Sequence, residues 1–279
     1  MATLSMRLAG HGRSIAVWLA AGFLGVLALA ALTAPWLGLA DPYAINAANL
    51  LASPDAAHWL GTDELGRDLL SRVIYGARVS LGVATAAVLV AGISGVTIGV
   101  CAAFAGRRLQ AAIVRIIDVL VSLPETFVAL VVLAFIGGSL PTLVMTIGLL
   151  YCPQFARVTW GVARSIQARE HVLAAQSLGA GTGWIIRREI LPNMHSIIAV
   201  QASFTFSFAM LLEAGLSFLG LGVRPPTPSW GQMVGTLKDY LFTNAWPVLV
   251  PSIALFLTVL AVNILGDWLQ DTLNPELQR

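Results

Sequence analysis

Long apolar stretches, each about as long as a membrane crossing requires, dominate the hydropathy pattern of this chain. A helix that crosses the hydrocarbon core of a bilayer needs about 20 apolar residues. The pattern predicts six such helices, at residues 15–39, 79–105, 111–136, 140–162, 196–221 and 246–269. Three hydrophilic segments separate them, at residues 40–78, 163–195 and 223–245. The sequence therefore predicts an all-α, polytopic membrane protein.

The composition supports this prediction and excludes several other classes of protein. Of the 279 residues, 57% are hydrophobic and 11% are charged, whereas an ordinary soluble domain has about 25% charged residues. This balance excludes a disordered chain, a basic nucleic-acid-binding protein and a typical soluble enzyme. The first apolar stretch is longer than the hydrophobic region of a signal peptide, which has roughly 7–15 residues, so we expect a retained anchor.

The basic residues predict how the chain is oriented in the membrane. There are 15 arginines and one lysine, Lys238. With the N-terminus in the cytoplasm, 11 of these residues lie at or inside the cytoplasmic face and 5 lie outside. Cytoplasmic segments of membrane proteins carry an excess of basic residues. Both termini are therefore predicted to be cytoplasmic.

Three acidic residues lie within predicted spans, at Asp118, Glu125 and Glu213. Ionisable groups in a membrane usually face protein or water, so these three are candidates for lining a translocation path. Structural alternatives stay open for each. Asp118 follows Arg115 by three residues and could form an ion pair with it on one helix. Glu125 follows Pro124, which is expected to kink the span, and could lie near an interface. Glu213 could make a structural hydrogen bond.

The cytoplasmic segment at residues 169–193 is predicted to contain two short helices joined by a glycine bend. Four residues of the first helix share one face, His171, Ala174, Ala175 and Leu178. Gly179 and Gly181 end this helix. A second helix is predicted over about 182–191, ended by Pro192. The residues alone leave two interpretations open, a docking element that fits a groove of a partner and an amphipathic helix that lies on the inner leaflet.

The same segment carries a recognisable motif. Ala174-Ala175 is followed by three residues, Gly179, nine residues and then Glu189-Ile190-Leu191-Pro192. This pattern resembles the EAA signature of ATP-binding-cassette (ABC) importer permeases. Two positions depart from it, because Leu173 stands where the family usually has glutamate and Glu189 stands where isoleucine is common. Glu170 lies one turn before Leu173 on roughly the same face.

Two outer segments extend the resemblance over nearly the whole chain. Residues 58–68 (HWLGTDELGRD) and 222–231 (GVRPPTPSWG) are similar to segments of the dipeptide, oligopeptide and nickel branch of these importers. The chain is similar to the second of the two permeases of that branch. For residues 58–72 themselves, two interpretations are considered, contact with a substrate-delivering protein and a surface helix with ion pairs.

The resemblance implies a type I ABC importer permease fold, in the bacterial inner membrane. It implies an N-terminal segment at residues 1–77, a permease domain at 78–270 with a coupling loop at about 164–193, and a cytoplasmic tail at 271–279. The residues expected to couple to an ATPase are Glu170, Leu173, Ala174, Ala175, Leu178, Gly179 and Ala180. The expected partners are a homologous second permease, two cytoplasmic ABC ATPase subunits and an extracytoplasmic substrate-binding protein.

The chain itself is not expected to be an enzyme or to bind a cofactor or metal. A phosphate-binding P-loop needs a lysine after a glycine-rich turn, and Lys238, the only lysine, follows Leu237 in an outer segment. ATP and Mg²⁺ are therefore expected on the partner subunits. Peptides are the expected cargo, with nickel or another small solute as further candidates.

Two other classes of protein are considered. A membrane hydrolase would use the serine in 215–220 (GLSFLG), but the second glycine is one place late for a nucleophile elbow and a base is lacking. An ion-coupled secondary transporter often shows inverted repeats and broken helices, and the sequence shows no convincing repeat.

Overall fold

The computed structural model describes the backbone of residues 2–273 and the side chains of residues 15–273. In that part of the chain, helices and loops make up the structure, with one isolated β-bridge between Thr62 and Asp68. The α-helices are α1 (Ala2–Thr33), α2 (Leu69–Phe104), α3 (Arg107–Val121), α4 (Glu125–Ile136), α5 (Leu140–Gln167), α6 (Glu170–Ser177), α7 (Thr182–Ile185), α8 (Leu191–Phe218), α9 (Trp230–Leu237) and α10 (Trp246–Leu273). The prediction of an all-α membrane protein is confirmed.

Four helical stretches of the described chain are long and apolar enough to cross a membrane. They are Ile15–Trp36, Leu69–Phe104, Thr182–Phe218 and Trp246–Leu273, and α3 with α4 makes a fifth if the bent pair crosses as one unit. At 28 residues α5 is also long enough to cross, but Gln154, Arg157 and Arg164 lower its hydropathy. The count of six spans and the cytoplasmic termini stay predictions, as do the domain boundaries. Of the predicted tail, residues 274–279 lie outside the described part of the chain.

The core is built around α2 and α5, which approach each other closely because glycines face the contact. A Cβ added at Gly95 or Gly99 of α2 would overlap the α5 backbone near Cys152 and Ala156. On α5, Gly148 lies in the same way against α2. In lipid, helix association depends on close van der Waals packing, which small residues permit. These glycines therefore hold α2 and α5 together as a pair.

The predicted span at residues 111–136 consists of two helices, and the kink expected at Pro124 is present as a sharp bend. α3 and α4 are bent by 85° at a three-residue break. Pro124 precedes α4, lacks an amide hydrogen and disfavours the helical conformation at the residue before it. α3 is also strongly amphipathic, and its polar residues are Arg107, Arg108, Gln110, Arg115 and Asp118. The break thus separates a half-polar helix from an apolar one.

The predicted helix end at Pro192 is wrong. α7 continues through a π-helical turn, Ile186–Ile190, into α8, so that Thr182–Phe218 forms one helical stretch of 37 residues. Pro192 lies in the first turn of α8, and the wider turn before it accommodates the missing amide hydrogen. The segment predicted to be cytoplasmic is therefore continuous with a helix that is long and apolar enough to cross the membrane.

Of the two interpretations of residues 58–72, the ion pairs of the second are present, but residues 58–68 form a loop instead of a surface helix. α2 begins only at Leu69, and the preceding loop folds around buried charges. Arg67 Nε donates to Asp63 Oδ2 at 2.6 Å, and Arg72 Nε lies 3.1 Å from the same oxygen. Asp68 accepts a hydrogen bond from the Ser71 amide at 2.8 Å and so caps α2. The charges of this segment hold the loop to α2 rather than cover a surface.

Candidate functional site

The residues predicted to couple to an ATPase lie together on α6 and its C-terminal cap. We refer to them as the α6 surface, which consists of Glu170, Leu173, Ala174, Ala175, Leu178, Gly179 and Ala180. Most of them are exposed, and the two leucines are the largest apolar side chains among them: Leu173 is 48% exposed and Leu178 is 90% exposed. A short helix that presents leucines outward has an apolar surface available to a partner protein.

The cap of α6 has a fixed geometry. The Ala180 amide donates to the Ala175 carbonyl at 3.0 Å, and the Gly179 amide donates to the Gln176 carbonyl at 3.0 Å. Gly179 has φ of +86°. This pair of bonds with a left-handed residue is a Schellman motif, in which glycine avoids the strain that a Cβ would cause. The turn after α6 is therefore set by backbone hydrogen bonds.

α6 is anchored to the rest of the chain through one face. Val172 is fully buried. It belongs to an apolar cluster at one end of the long helices that also contains Val100, Ala103, Ala163, Ile166, Ile185, Ile190 and Met194. At the end of α5, Gln167 Nε2 donates to the Ala103 carbonyl at 3.2 Å. The exposed surface of α6 is thus backed by a packed cluster that joins α2, α5 and α8.

One of the two departures from the family motif has a structural partner. Glu189, in the π-helical turn, lies with Oε2 3.4 Å from Nε2 of His171 on α6. When the imidazole is protonated, this contact is an ion pair across the bend between the two helices. This contact could not be predicted from the sequence, because the two residues are 18 positions apart in the chain.

A polar stripe on α5 faces the broken span formed by α3 and α4. It consists of Tyr151, Gln154 and Arg157, which follow one another at the three-residue spacing that keeps side chains on one helix face. Gln154 Nε2 donates to Glu125 Oε1 at 2.9 Å. Arg157 Nη1 lies 3.8 Å from Asp118 Oδ1. The stripe thus supplies a partner for each of two candidate path residues.

Asp118 forms an ion pair with Arg157 on α5 and not with Arg115, the alternative considered from the sequence. In this pair the side chain of Asp118 is 44% exposed and that of Arg157 is 58% exposed. Charged side chains that the chain itself leaves exposed must meet water, a lipid headgroup or another protein. Sequence reasoning missed Arg157 and Gln154, although polar residues spaced by three in an apolar helix were a usable signal.

Glu125 borders a cavity of about 320 Å³ between α4, α5 and α8. Its walls include Glu125, Thr126, Tyr151, Phe208, Leu211 and Gly215. The carboxylate is half-buried and sits in the first turn of α4, where the helix dipole favours a negative charge. The cavity combines apolar walls with a carboxylate and a phenol hydroxyl.

Glu213 occupies a different environment, since it is fully buried within the chain. Ser217 Oγ donates to one carboxylate oxygen at 2.7 Å, and Ser80 Oγ donates to the other at 3.1 Å. Ser80 Oγ also accepts from the Trp230 amide at 3.2 Å. Glu213 therefore links α8, α2 and α9, and this geometry favours the structural hydrogen-bond alternative. Ser217 is the serine of the hydrolase alternative, and its hydroxyl is bonded to this carboxylate.

These features together are those of a polytopic membrane permease. The chain has several helices long enough to cross a membrane, polar and charged side chains between α3, α4 and α5, and the exposed helix α6 at one end. The family model described as "Binding-protein-dependent transport system inner membrane component" matches residues 95–279. The chain belongs to this family, whose members are transport subunits.

Relatives of known name place the chain in one branch of that family. It is 38% identical to the di/tripeptide transport system permease protein DppC of Pseudomonas aeruginosa, over 92% of this chain and 86% of the relative. It is 37% identical to the nickel transport system permease protein NikC of Escherichia coli K12, over 94% of each chain. The chain is thus an ABC importer permease of the inner membrane, and the resemblance drawn from its motifs is confirmed.

The fold agrees with this assignment. A chain of the methionine ABC transporter MetNI, solved in inward-facing conformations, superposes with a TM-score of 0.61 at 19% identity and covers 74% of this chain and 96% of its own length. The type I importer permease fold is thereby confirmed. The secondary-transporter alternative is not favoured.

Proposed function

We propose that this chain forms half of the translocation path for peptides or a related small solute, and that the α6 surface couples it to a cytoplasmic ATPase. The observation that carries the proposal is α6 itself. Its apolar side chains face outward, while Val172 anchors it in a cluster shared with α2, α5 and α8. A force applied to α6 is therefore transmitted to helices that cross the membrane.

The proposed assembly contains a homologous second permease, two ABC ATPase subunits and an extracytoplasmic substrate-binding protein. The family description, a component of a binding-protein-dependent system, supports the last of these partners. ATP and Mg²⁺ belong to the ATPase subunits, because the one lysine of this chain lies outside any glycine-rich phosphate-binding pattern. Both termini and α6 are proposed to lie in the cytoplasm.

The translocation path is proposed to run along the broken span and the α5 polar stripe. Asp118 and Glu125 face this surface, and their partners on α5 keep both carboxylates in place. Glu213 supports the path from behind by holding α9 to α2 and α8. Peptides are the proposed cargo, supported by the similarity to permeases named for dipeptides and tripeptides. Nickel is the second candidate, supported by the similarity to NikC.

The coupling proposal is tested by purifying the tagged chain from its native membranes in mild detergent and identifying its partners by mass spectrometry. Leu178→Arg should abolish recovery of P-loop ATPases, because a charge replaces the most exposed leucine of the α6 surface. Phe242→Arg is the matched control, since Phe242 is 97% exposed but lies between α9 and α10. ATPase recovery that survives Leu178→Arg would contradict coupling through α6.

The cargo is tested separately, in proteoliposomes that contain the purified assembly and its binding protein. ATP-dependent uptake of a radiolabelled dipeptide, competed by other dipeptides, is the expected result. Uptake of ⁶³Ni²⁺ without dipeptide uptake would replace the peptide proposal by the nickel one. Uptake of either solute without ATP would contradict the importer mechanism.

A further inference from the structure

A polar cleft of about 830 Å³ opens between α3 and α5, beside the end of α2. The lining side chains that can form hydrogen bonds are Arg107, Gln110, Arg115, Asp118, Trp160 and Arg164. Trp160 and Arg164 follow the α5 polar stripe by one and two turns, toward α6. The cleft therefore lies at the ends of the helices that we propose to be cytoplasmic.

The cleft has an excess of positive charge. Three arginines line it, and Asp118 is the acidic residue among the lining side chains. That carboxylate is engaged by Arg157 from outside the cleft. Among residues 15–273, Arg107 and Arg115 have no carboxylate within 4.0 Å, and Arg164 contacts the amide of Gln167 at 3.4 Å. Planar guanidinium groups match the oxygens of phosphates and carboxylates, so the cleft offers an anion several donors at once.

Two further hydrogen-bond donors without a formal charge, the first turn of α3 and the indole of Trp160, also favour an anion in the cleft. α3 begins in the cleft at Arg107, and its N-cap is Gly106, which offers no side chain to the free amides of the first turn. The N-terminus of a helix of this length, 15 residues, attracts anions. The indole Nε1 of Trp160 is a buried donor that has no acceptor among the described residues.

The surroundings of the cleft suit the headgroup region of a membrane. α3 is bent by 85° from α4, and its other face exposes Leu109, Ile116, Val119 and Leu120. An amphipathic helix with arginines on its polar face is typical of the interface between headgroups and acyl chains. Basic pockets between helices at the cytoplasmic side bind the headgroups of anionic lipids.

We propose that the α3–α5 cleft binds a phosphate group, or an anionic oxygen group of similar shape, supplied by an anionic phospholipid or by a free anion. This inference goes beyond the proposed transport function and is independent of the cargo. Arg107, Arg115 and Arg164 bind the anionic oxygens. Leu109 and its apolar neighbours on α3 lie where the acyl chains of a bound lipid would pack.

The lipid arm of the test uses the purified assembly in nanodiscs of phosphatidylcholine with phosphatidylglycerol. After transfer to detergent and washing, the phosphatidylglycerol retained per chain is counted by mass spectrometry. Replacement of Arg107, Arg115 and Arg164 by Gln together should reduce retention by on the order of tenfold or more. The matched control replaces Arg108, Arg187 and Arg188 by Gln, which removes the same charge from exposed positions outside the cleft and should retain the lipid.

The free-anion arm measures binding of inorganic phosphate to the delipidated assembly by calorimetry. Trp160→Phe keeps an aromatic side chain, although a smaller one, and removes the indole donor. It provides a second variant if the triple arginine variant does not fold. Loss of lipid retention in the cleft variants alone supports a lipid source. Phosphate binding that depends on the cleft arginines without lipid retention supports a free anion. Equal losses in the cleft and control variants, or binding of neither probe, would overturn the proposal.

Discussion

The imidazole of His171 lies 3.4 Å from the carboxylate of Glu189, across the bend that separates α6 from the long helix leading into the membrane. The two helices are thus joined by a side-chain contact as well as by the backbone turn at Gly179. Glu189 stands in the π-helical turn that continues into α8. A displacement of α6 therefore acts on α8 through two connections.

Gly179→Ala should weaken the backbone turn that joins α6 to α7, although the added methyl group would meet no steric clash. The residue has φ of +86° and nothing within 4 Å of an added Cβ, so the cost comes from the left-handed backbone, about 1 kcal/mol. We expect a lower unfolding temperature and less ATPase recovered with the chain. Gly181→Ala is the control, because Gly181 has φ of −70° and is equally uncrowded. Equal effects of the two substitutions would show that the Schellman turn is unimportant.

Val172→Ala and Leu173→Ala should have different effects, although the two residues are adjacent. Val172→Ala should weaken the anchoring of α6 to the chain, and Leu173→Ala should weaken the docking of the ATPase on α6. Val172 is fully buried, and removing two methyl groups from a packed cluster costs about 2 kcal/mol. Leu173 is half exposed, so its truncation should leave the unfolding temperature within about 1 °C. Thermal unfolding of the purified chain checks the first effect, and co-purification of the ATPase checks the second. The docking role fails if Leu173→Ala retains the ATPase fully.

Asp118 and Arg157 should be reachable from water in the assembled importer. Each is replaced singly by Cys in a background where Cys101 and Cys152 are changed to Ser, because these are the free cysteines of the described chain. A membrane-impermeant maleimide should label both positions in inside-out vesicles. Labelling at Ile117→Cys, a buried neighbour of Asp118, should be at least about tenfold slower. Protection of both sites would place them in a protein interface instead of an aqueous path.

Glu64→Gln should stabilise the loop before α2 at neutral pH, and this stabilisation should disappear at acidic pH. Burial raises the pKa of the Glu64 carboxyl above its ordinary value of 4.5, and the neighbouring Asp63 charge adds to the effect. A raised pKa means that ionisation costs folding free energy above the folded-state pKa, a cost that disappears as the pH falls toward 4.5. Gln keeps an oxygen that can accept from Arg67, which donates to Glu64 at 2.8 Å.

Thermal unfolding between pH 5 and pH 8 checks the prediction for Glu64. Asp63→Asn serves as the contrast, because it removes the charge that two buried guanidinium groups share. Breaking a buried ion pair costs about 3–5 kcal/mol, so this variant should unfold at a lower temperature than the wild type at neutral pH. A difference between wild type and Glu64→Gln that does not change with pH would refute the assigned pKa shift.

The hydropathy pattern predicted most of the long apolar helices, and the motif around Ala174 predicted where α6 lies. The pattern could not give the break between α3 and α4, because a count of apolar residues ignores which side of a helix they occupy. The arginines of α3 recur on one face while leucine and isoleucine occupy the other. Pro124 predicted a kink in this span, and an analysis of helix faces in addition would have favoured two helices.

The remaining differences arise from the structural surroundings of a residue, which the residue type alone does not show. Arg67 and Arg72 were expected at a surface because charged residues usually are, yet Asp63 and the loop wrapped over them make burial possible. Pro192 was expected to end a helix, but a proline in a first turn is compatible with one that continues. In each case the residue type indicated the usual structural role, and the surroundings of the residue determined the role that it has in this protein.

The polar residues of α5 also bear on how the chain reaches the membrane during synthesis. An arginine at the centre of a lone helix opposes its release from the translocon into lipid by about 2.5–3.5 kcal/mol, and α5 carries Arg157 and Arg164 in addition to Gln154. α2, which is synthesised earlier, is apolar throughout most of its length and offers glycines onto which α5 packs. Integration of α5 should therefore depend on α2 already being in place, which makes the order of synthesis part of the topology of this protein.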